Sequence, residues 1–125
     1  MGTLCCQSIK LVEHPYATLG TKKLLTASTS SGDLDNDGDM DIVVANGRHW
    51  AEFNQVFFND GNGFFRRSKF LSKEATTSYA TPLADLDNDG DLDIVVANDR
   101  TMNQVFFNDG KGNFSFGNSF GTVSY

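Results

Sequence analysis

Cysteine and proline are nearly missing from this chain of 125 residues, which holds two of each, and no apolar run exceeds four residues. A membrane-spanning helix needs about 20 such residues in sequence, so none is expected. The cysteines, Cys5 and Cys6, are neighbours and cannot staple distant parts of a fold. No C-x-x-C spacing occurs, which excludes a zinc site of that kind. Met1 to Cys6 partly matches a myristoylation and palmitoylation signal, but Cys6 stands where that signal has Ser or Thr. The first 25 residues contain no apolar core of the length a secretory signal requires. Positive charge is scarce as well: ten Lys and Arg face 16 Asp and Glu. Such a chain is a poor partner for phosphate backbones, and no nucleic-acid role is expected.

What is present is ordinary for one folded domain: 39% hydrophobic residues, 12% aromatic and 12 Gly. The charge is unevenly placed. Ten of the acidic residues are Asp33, Asp35, Asp37, Asp39, Asp41 and Asp85, Asp87, Asp89, Asp91, Asp93, so the rest of the chain is net +4.

Those two clusters belong to a repeat. The segment from Asp33 to Asn46 recurs 52 residues later, from Asp85 to Asn98, with 13 of 14 positions identical. Asn54-Gln55-Val56-Phe57-Phe58-Asn59-Asp60-Gly61 recurs 49 residues later from Asn103. The first copy therefore carries three extra residues, within Arg48 to Phe53. Ile42 to Ala45 is a short β-branched run bounded by Asp and Asn, which suits an inner strand. Residues 55–59 and 64–70 flank Asn59-Asp60-Gly61-Asn62-Gly63, a hairpin rich in residues that accept positive φ, and residues 108–112 repeat it. Residues 24–31 and 76–84 are polar, lack a helical stripe and read as strands entering the acidic loops. Four strands per copy result. A unit of that size stacks on its neighbours, and radial stacking makes a β-propeller of about four to eight blades. The expected organisation is an N-terminal segment over 1–25, an outer strand for an adjoining blade, followed by blades over 26–73 and 74–125. Residues 120–125 resemble the approach to the second loop. Two blades do not close a ring, so either a longer protein or a homo-oligomer of three or four copies would complete one.

The acidic loops follow D-x-D-x-D-G-x-x-D. Calcium takes six to eight hard oxygen ligands, and alternate residues of one loop can deliver them around a single ion. The expected side-chain ligands are Asp33, Asp35, Asp37 and Asp41, then Asp85, Asp87, Asp89 and Asp93. Asp39 and Asp91 would add main-chain carbonyls. A helix-type calcium loop would need an acidic residue at position 12, where Val44 and Val96 stand instead. An ion-free reading is disfavoured because carboxylates about 6 Å apart repel by about 3 kcal/mol per pair at an effective dielectric near 20. Two calcium ions are therefore expected.

Gly32 to Val44, together with the Asn-Asp-Gly-x-Gly hairpins, resembles the FG-GAP and VCBS-like repeats of integrin α-chain propellers and other extracellular proteins. The likeness covers about residues 24 to 125. It implies calcium-bearing propeller blades at the cell surface or outside the cell, with roles in adhesion or in binding a protein or glycan. The Gly-Ala-Pro element of that family is not seen here.

Catalysis is not expected. Glycosidase carboxylates need unlike environments, whereas these clusters are copies of one another. His14 and His49 lie in unlike contexts, and no G-x-S-x-G occurs. The alternative is a non-catalytic accessory part of a secreted hydrolase or lyase acting on polysaccharide. Trp50 lies in the inserted segment and either fills a gap between blades with Phe53 or anchors a ligand. Asn46-Gly47-Arg48 matches a short adhesion tripeptide and equally well a turn.

Overall fold

The β-branched runs pair as strands, and the Asp- and Gly-rich segments between them form the loops. The computed structural model describes residues 19, 20 and 22–123. Cys5, Cys6, His14 and most of the 1–25 segment lie outside the described residues, as do Ser124 and Tyr125. Among the described residues every regular element is a strand.

The first sheet is a meander of β1 (Thr26–Gly32), β2 (Asp41–Asn46), β3 (Gln55–Phe58) and β4 (Arg67–Phe70). The second holds β5 (Thr77–Ala80), β6 (Leu83–Ala84), β7 (Asp93–Asp99), β8 (Asn103–Asn108) and β9 (Phe114–Phe120). All pairings are antiparallel. Two expectations need adjustment. The entering strand of the second copy is broken into β5 and β6, because Pro82 has no N–H to donate and its carbonyl instead accepts from Val95 N at 3.0 Å. The outer strand of the first copy is shorter than 64–70, since Phe64 closes the hairpin by accepting from Asp60 N at 3.1 Å and pairing with β3 begins at Arg67.

The sheets pack face to face. Val43, Val56 and Phe58 of the first, with Leu34 and Leu71, meet Ile94, Val96 and Phe106 of the second in one core. Full burial of such side chains contributes about 1.5 to 3 kcal/mol each, so the junction between the sheets is where the fold gains most of its apolar burial. At the end opposite the acidic loops a polar network crosses the junction. Asn54 Nδ2 donates to Ser78 Oγ at 2.8 Å, and Ser78 Oγ donates to Asn98 Oδ1 at 2.8 Å. The inserted segment adds a clasp there, with Glu52 and Thr76 exchanging main-chain hydrogen bonds of 3.0 Å. Trp50 does not fill the gap between these two sheets: the residue is 73% exposed. Phe53 leans on Phe70 with ring centroids 5.4 Å apart.

Candidate metal centre

The acidic loops leave β1 and β6 and return as β2 and β7. Left-handed backbone makes the wrap: Asn36 and Gly38 have φ of 58° and 92°, and Asn88 and Gly90 have 62° and 97°. The short Asn side chain and the missing Cβ of Gly tolerate that region. Asp33 then accepts from Asp37 N and Gly38 N at 3.2 and 3.0 Å, while Asp37 accepts from Asp39 N at 2.9 Å. In the second loop Asp85 accepts from Gly90 N at 3.1 Å and Asp89 from Asp91 N at 2.9 Å.

This folding brings Asp33, Asp35 and Asp37 together, with one carboxylate oxygen of each within 4.8 Å of the others. Asp85, Asp87 and Asp89 do the same. Three hard oxygens at that spacing suit a calcium ion, which takes several carboxylates in a flexible geometry. Asp35 strengthens the fit. Its Oδ2 is ion-paired with Arg67, whereas its Oδ1 is buried with no hydrogen-bond partner. A buried carboxylate oxygen without a donor needs compensation, and a cation supplies it.

Asp41 and Asp93 stand apart from these triplets and are fully buried. Asp41 accepts from Leu34 N and Asn59 N, both at 2.9 Å. Asp93 accepts from Leu86 N at 2.8 Å and Asn108 N at 2.9 Å. Each ties the start of its acidic loop to the hairpin of the same sheet. Burial raises the Asp41 pKa above the ordinary carboxylate value, opposed by those two main-chain donors and assisted by the negative charge of Asp35 and Asp37. Asp87 is also raised, by desolvation and by Asp89 and Asp93 nearby. The carboxylates of Asp39 and Asp91 lie against the hairpin glycines Gly61 and Gly110.

The sequence pattern did not single out the groups that join the loops to their surroundings. Asn36 Nδ2 donates across the junction to Asp91 Oδ1 at 2.7 Å and to Gly110 O at 3.1 Å. Asn108 Nδ2 donates to Leu34 O at 2.8 Å. Arg67 lies 3.9 Å over the Phe58 ring, and Lys69 donates to Gly112 O at 3.0 Å. Asn36 and Asn108 recur as Asn88 and Asn59, and that recurrence was the available signal.

Two meander sheets stacked face to face, each led by an aspartate-rich loop, define a pair of β-propeller blades. Residues 33–96 and 85–124 match the FG-GAP-like repeat, and the chain belongs to that family. No curated protein and no solved structure matches the chain.

Proposed function

We propose that this chain is a calcium-binding propeller module that holds one ion per acidic loop and serves extracellular protein or glycan binding and adhesion, without catalysis of its own. The buried, unpartnered Oδ1 of Asp35 within a duplicated carboxylate triplet carries the reading. Asp33, Asp35 and Asp37 would hold the first ion and Asp85, Asp87 and Asp89 the second. Asp39 and Asp91 would supply main-chain carbonyls, and Asp41 and Asp93 would close each site from behind. The ion would supply positive charge that cancels the repulsion within each triplet. The repeats span residues 26–73 and 74–125 in this reading. Among the described residues no helix is long and apolar enough to cross a membrane.

Trp50 supports the binding role. Its exposed indole stands on the inserted loop, and such a face stacks on sugars, cations or a partner protein.

Calorimetric titration tests the ion. Two calcium ions per chain are expected, one in Asp37→Ala or Asp89→Ala, and none in the double variant. Absence of binding in the wild type, with a thermal midpoint indifferent to chelator, would sink the proposal.

A further inference from the structure

The two sheets meet through unlike faces. The side of the first sheet bearing Val43, Val56 and Phe58 packs on the side of the second bearing Ile94, Val96 and Phe106. Because the second repeat copies the first, each of these faces exists twice. Val95, Val105 and Phe107 occupy in the second repeat the places of Val43, Val56 and Phe58. Ile42, Val44 and Phe57 occupy in the first the places of Ile94, Val96 and Phe106. These second versions sit on the sides turned away from the junction, where Val44, Phe57 and Val105 are already covered within the chain at 5%, 4% and 8% exposure, so the heterologous contact is presented again only along its loop edge.

The polar contacts of the junction have unused counterparts in the same places. Asn36 reaches Asp91 and Gly110 O across the junction. Its counterpart Asn88 has no hydrogen-bond partner among the described residues, while the matching acceptors, Asp39 and Gly61 O, lie on the far side of the first blade. Asn108 holds Leu34 O at 2.8 Å and Leu92 O at 3.1 Å, whereas Asn59 makes only the second kind of bond, to Met40 O at 3.3 Å. Asn54 donates to Ser78, and the corresponding pair is Asn103 and Thr26. Phe58 is seated so closely on Gly112 that a Cβ there would collide with its ring, yet Gly63, the matching seat, has nothing within 4 Å.

Along that loop edge exposure follows the same division. Leu34 is 0% exposed in the junction, but its copy Leu86 is 43% exposed. Leu92 is partly buried against the core, while its counterpart Met40 is 54% exposed. Over the outward face of the first blade lies an open groove of about 1070 Å³, with Val44, Phe57, Phe65 and Phe70 in its lining. Gly20 lies near the Phe57 ring, which leaves Met40, Asn59 and Gly63 as the accessible rim.

We infer that a second copy of this chain docks head to tail, its Leu86 loop against the Met40 rim of the first copy. The contact repeats the observed junction: Asn88 to Asp39 and Gly61 O, Asn59 to Leu86 O, Phe107 over Gly63. Not every part of the junction is duplicated: the Glu52–Thr76 clasp belongs to the inserted segment, which the second repeat lacks, and a cation is missing as well. Lys69, which donates to Gly112 O, is paired with Val56, whereas Val105 is paired with Asn118. The contact between copies therefore lacks this cation and is weaker than the internal one, reversible and concentration-dependent. A heterologous contact of this kind closes into a ring if its rotation permits and otherwise extends.

Sedimentation of the full chain, in calcium and again in chelator, tests the inference. The wild type is expected to associate with rising concentration. Leu86→Asp and Met40→Asp each place a charge on an already exposed residue, so folding is retained, which circular dichroism verifies. Either change alone should weaken association at least about 100-fold. Mixed in equal amounts, the two variants should pair into a heterodimer and go no further, because each retains one intact face and the heterodimer's outer faces are both blocked. A wild type that stays monomeric to about 1 mM, a variant that associates like the wild type, or a mixture that stays monomeric would each overturn the inference. The ion count and the chain count are separate readings, so failure of the calcium proposal and failure of this one are distinguishable.

Discussion

Asp33 and Asp41 belong to the same nine-residue loop, yet their carboxylates face different demands. Asp41 is fully buried and caps two main-chain donors, Leu34 N and Asn59 N. Asp41→Ala leaves both N–H groups without an acceptor, and a loss of about 2 to 4 kcal/mol is expected from urea unfolding even in chelator. Asp37 is exposed and accepts one hydrogen bond, from Asp39 N at 2.9 Å. Asp37→Ala should change stability in chelator by no more than about 1 kcal/mol, while abolishing the increment from one ion, about 1.4 kcal/mol at calcium ten times the dissociation constant. Acidity separates the two states further. The raised pKa of Asp41 means that the ion-free folded protein binds a proton there more readily than the unfolded chain does. Its contribution to stability is therefore full below the ordinary carboxylate value and is lost as pH rises through the raised one. With calcium bound the sign reverses, since the triplets must be ionised to hold the ion. The thermal midpoints measured with calcium and with chelator should converge as pH falls toward the carboxylate range, and curves that run parallel would contradict this.

The hairpins show how one element can carry two different loads. In both, the aspartate after the strand accepts from main-chain donors of the turn, Asn62 N and Phe64 N for Asp60, Lys111 N and Asn113 N for Asp109. Gly63 and Gly112 have matching φ of 79° and 70°, but only Gly112 supports a ring from the other sheet. Gly63→Ala should cost about 1 to 2 kcal/mol, the strain of a left-handed alanine. Gly112→Ala adds a clash with Phe58 and should cost clearly more, about 3 kcal/mol or above by chemical denaturation. Equal costs would mean that Phe58 moves aside freely. The strands β2, β3, β7 and β8 were legible because short β-branched and aromatic runs sit between Asn, Asp and Gly. The direction of each face was not. Val43 points into the junction, whereas in the second copy Ile94 and Val96 do so and Val95 does not. Near-identical strands thus bury opposite sides, and only the neighbouring sheet decides which. The carboxylate triplets were legible from spacing alone. Arg67, Lys69 and Asn36 were not, because their partners are set by the junction and no local pattern records it.

At the scale of the whole molecule the junction makes the two blades a single folding unit. Phe58 belongs to β3 and is 2% exposed because Gly112 and the second sheet cover it together with Arg67 of β4. The first acidic loop is held in part by Asn108 and Asp91 of the second repeat, and the inserted loop is pinned by Thr76. Unfolding either sheet alone would expose the core face of the other together with these donors, so partial unfolding is costly. Trp50, the only tryptophan, sits in the first repeat and reports on that half, whereas far-UV circular dichroism reports on both. The two signals should follow one thermal transition. Phe58→Ala should lower the stability of the whole by about 3 to 5 kcal/mol, a shift of the midpoint by about 10 to 20 °C, and leave the signals coincident. Phe107→Ala, at the corresponding but only half-buried place, should cost less. If Phe58→Ala instead splits the transition, with the tryptophan signal lost first, the blades would be independent units in contact. The ion at the first loop could then no longer stabilise the second blade.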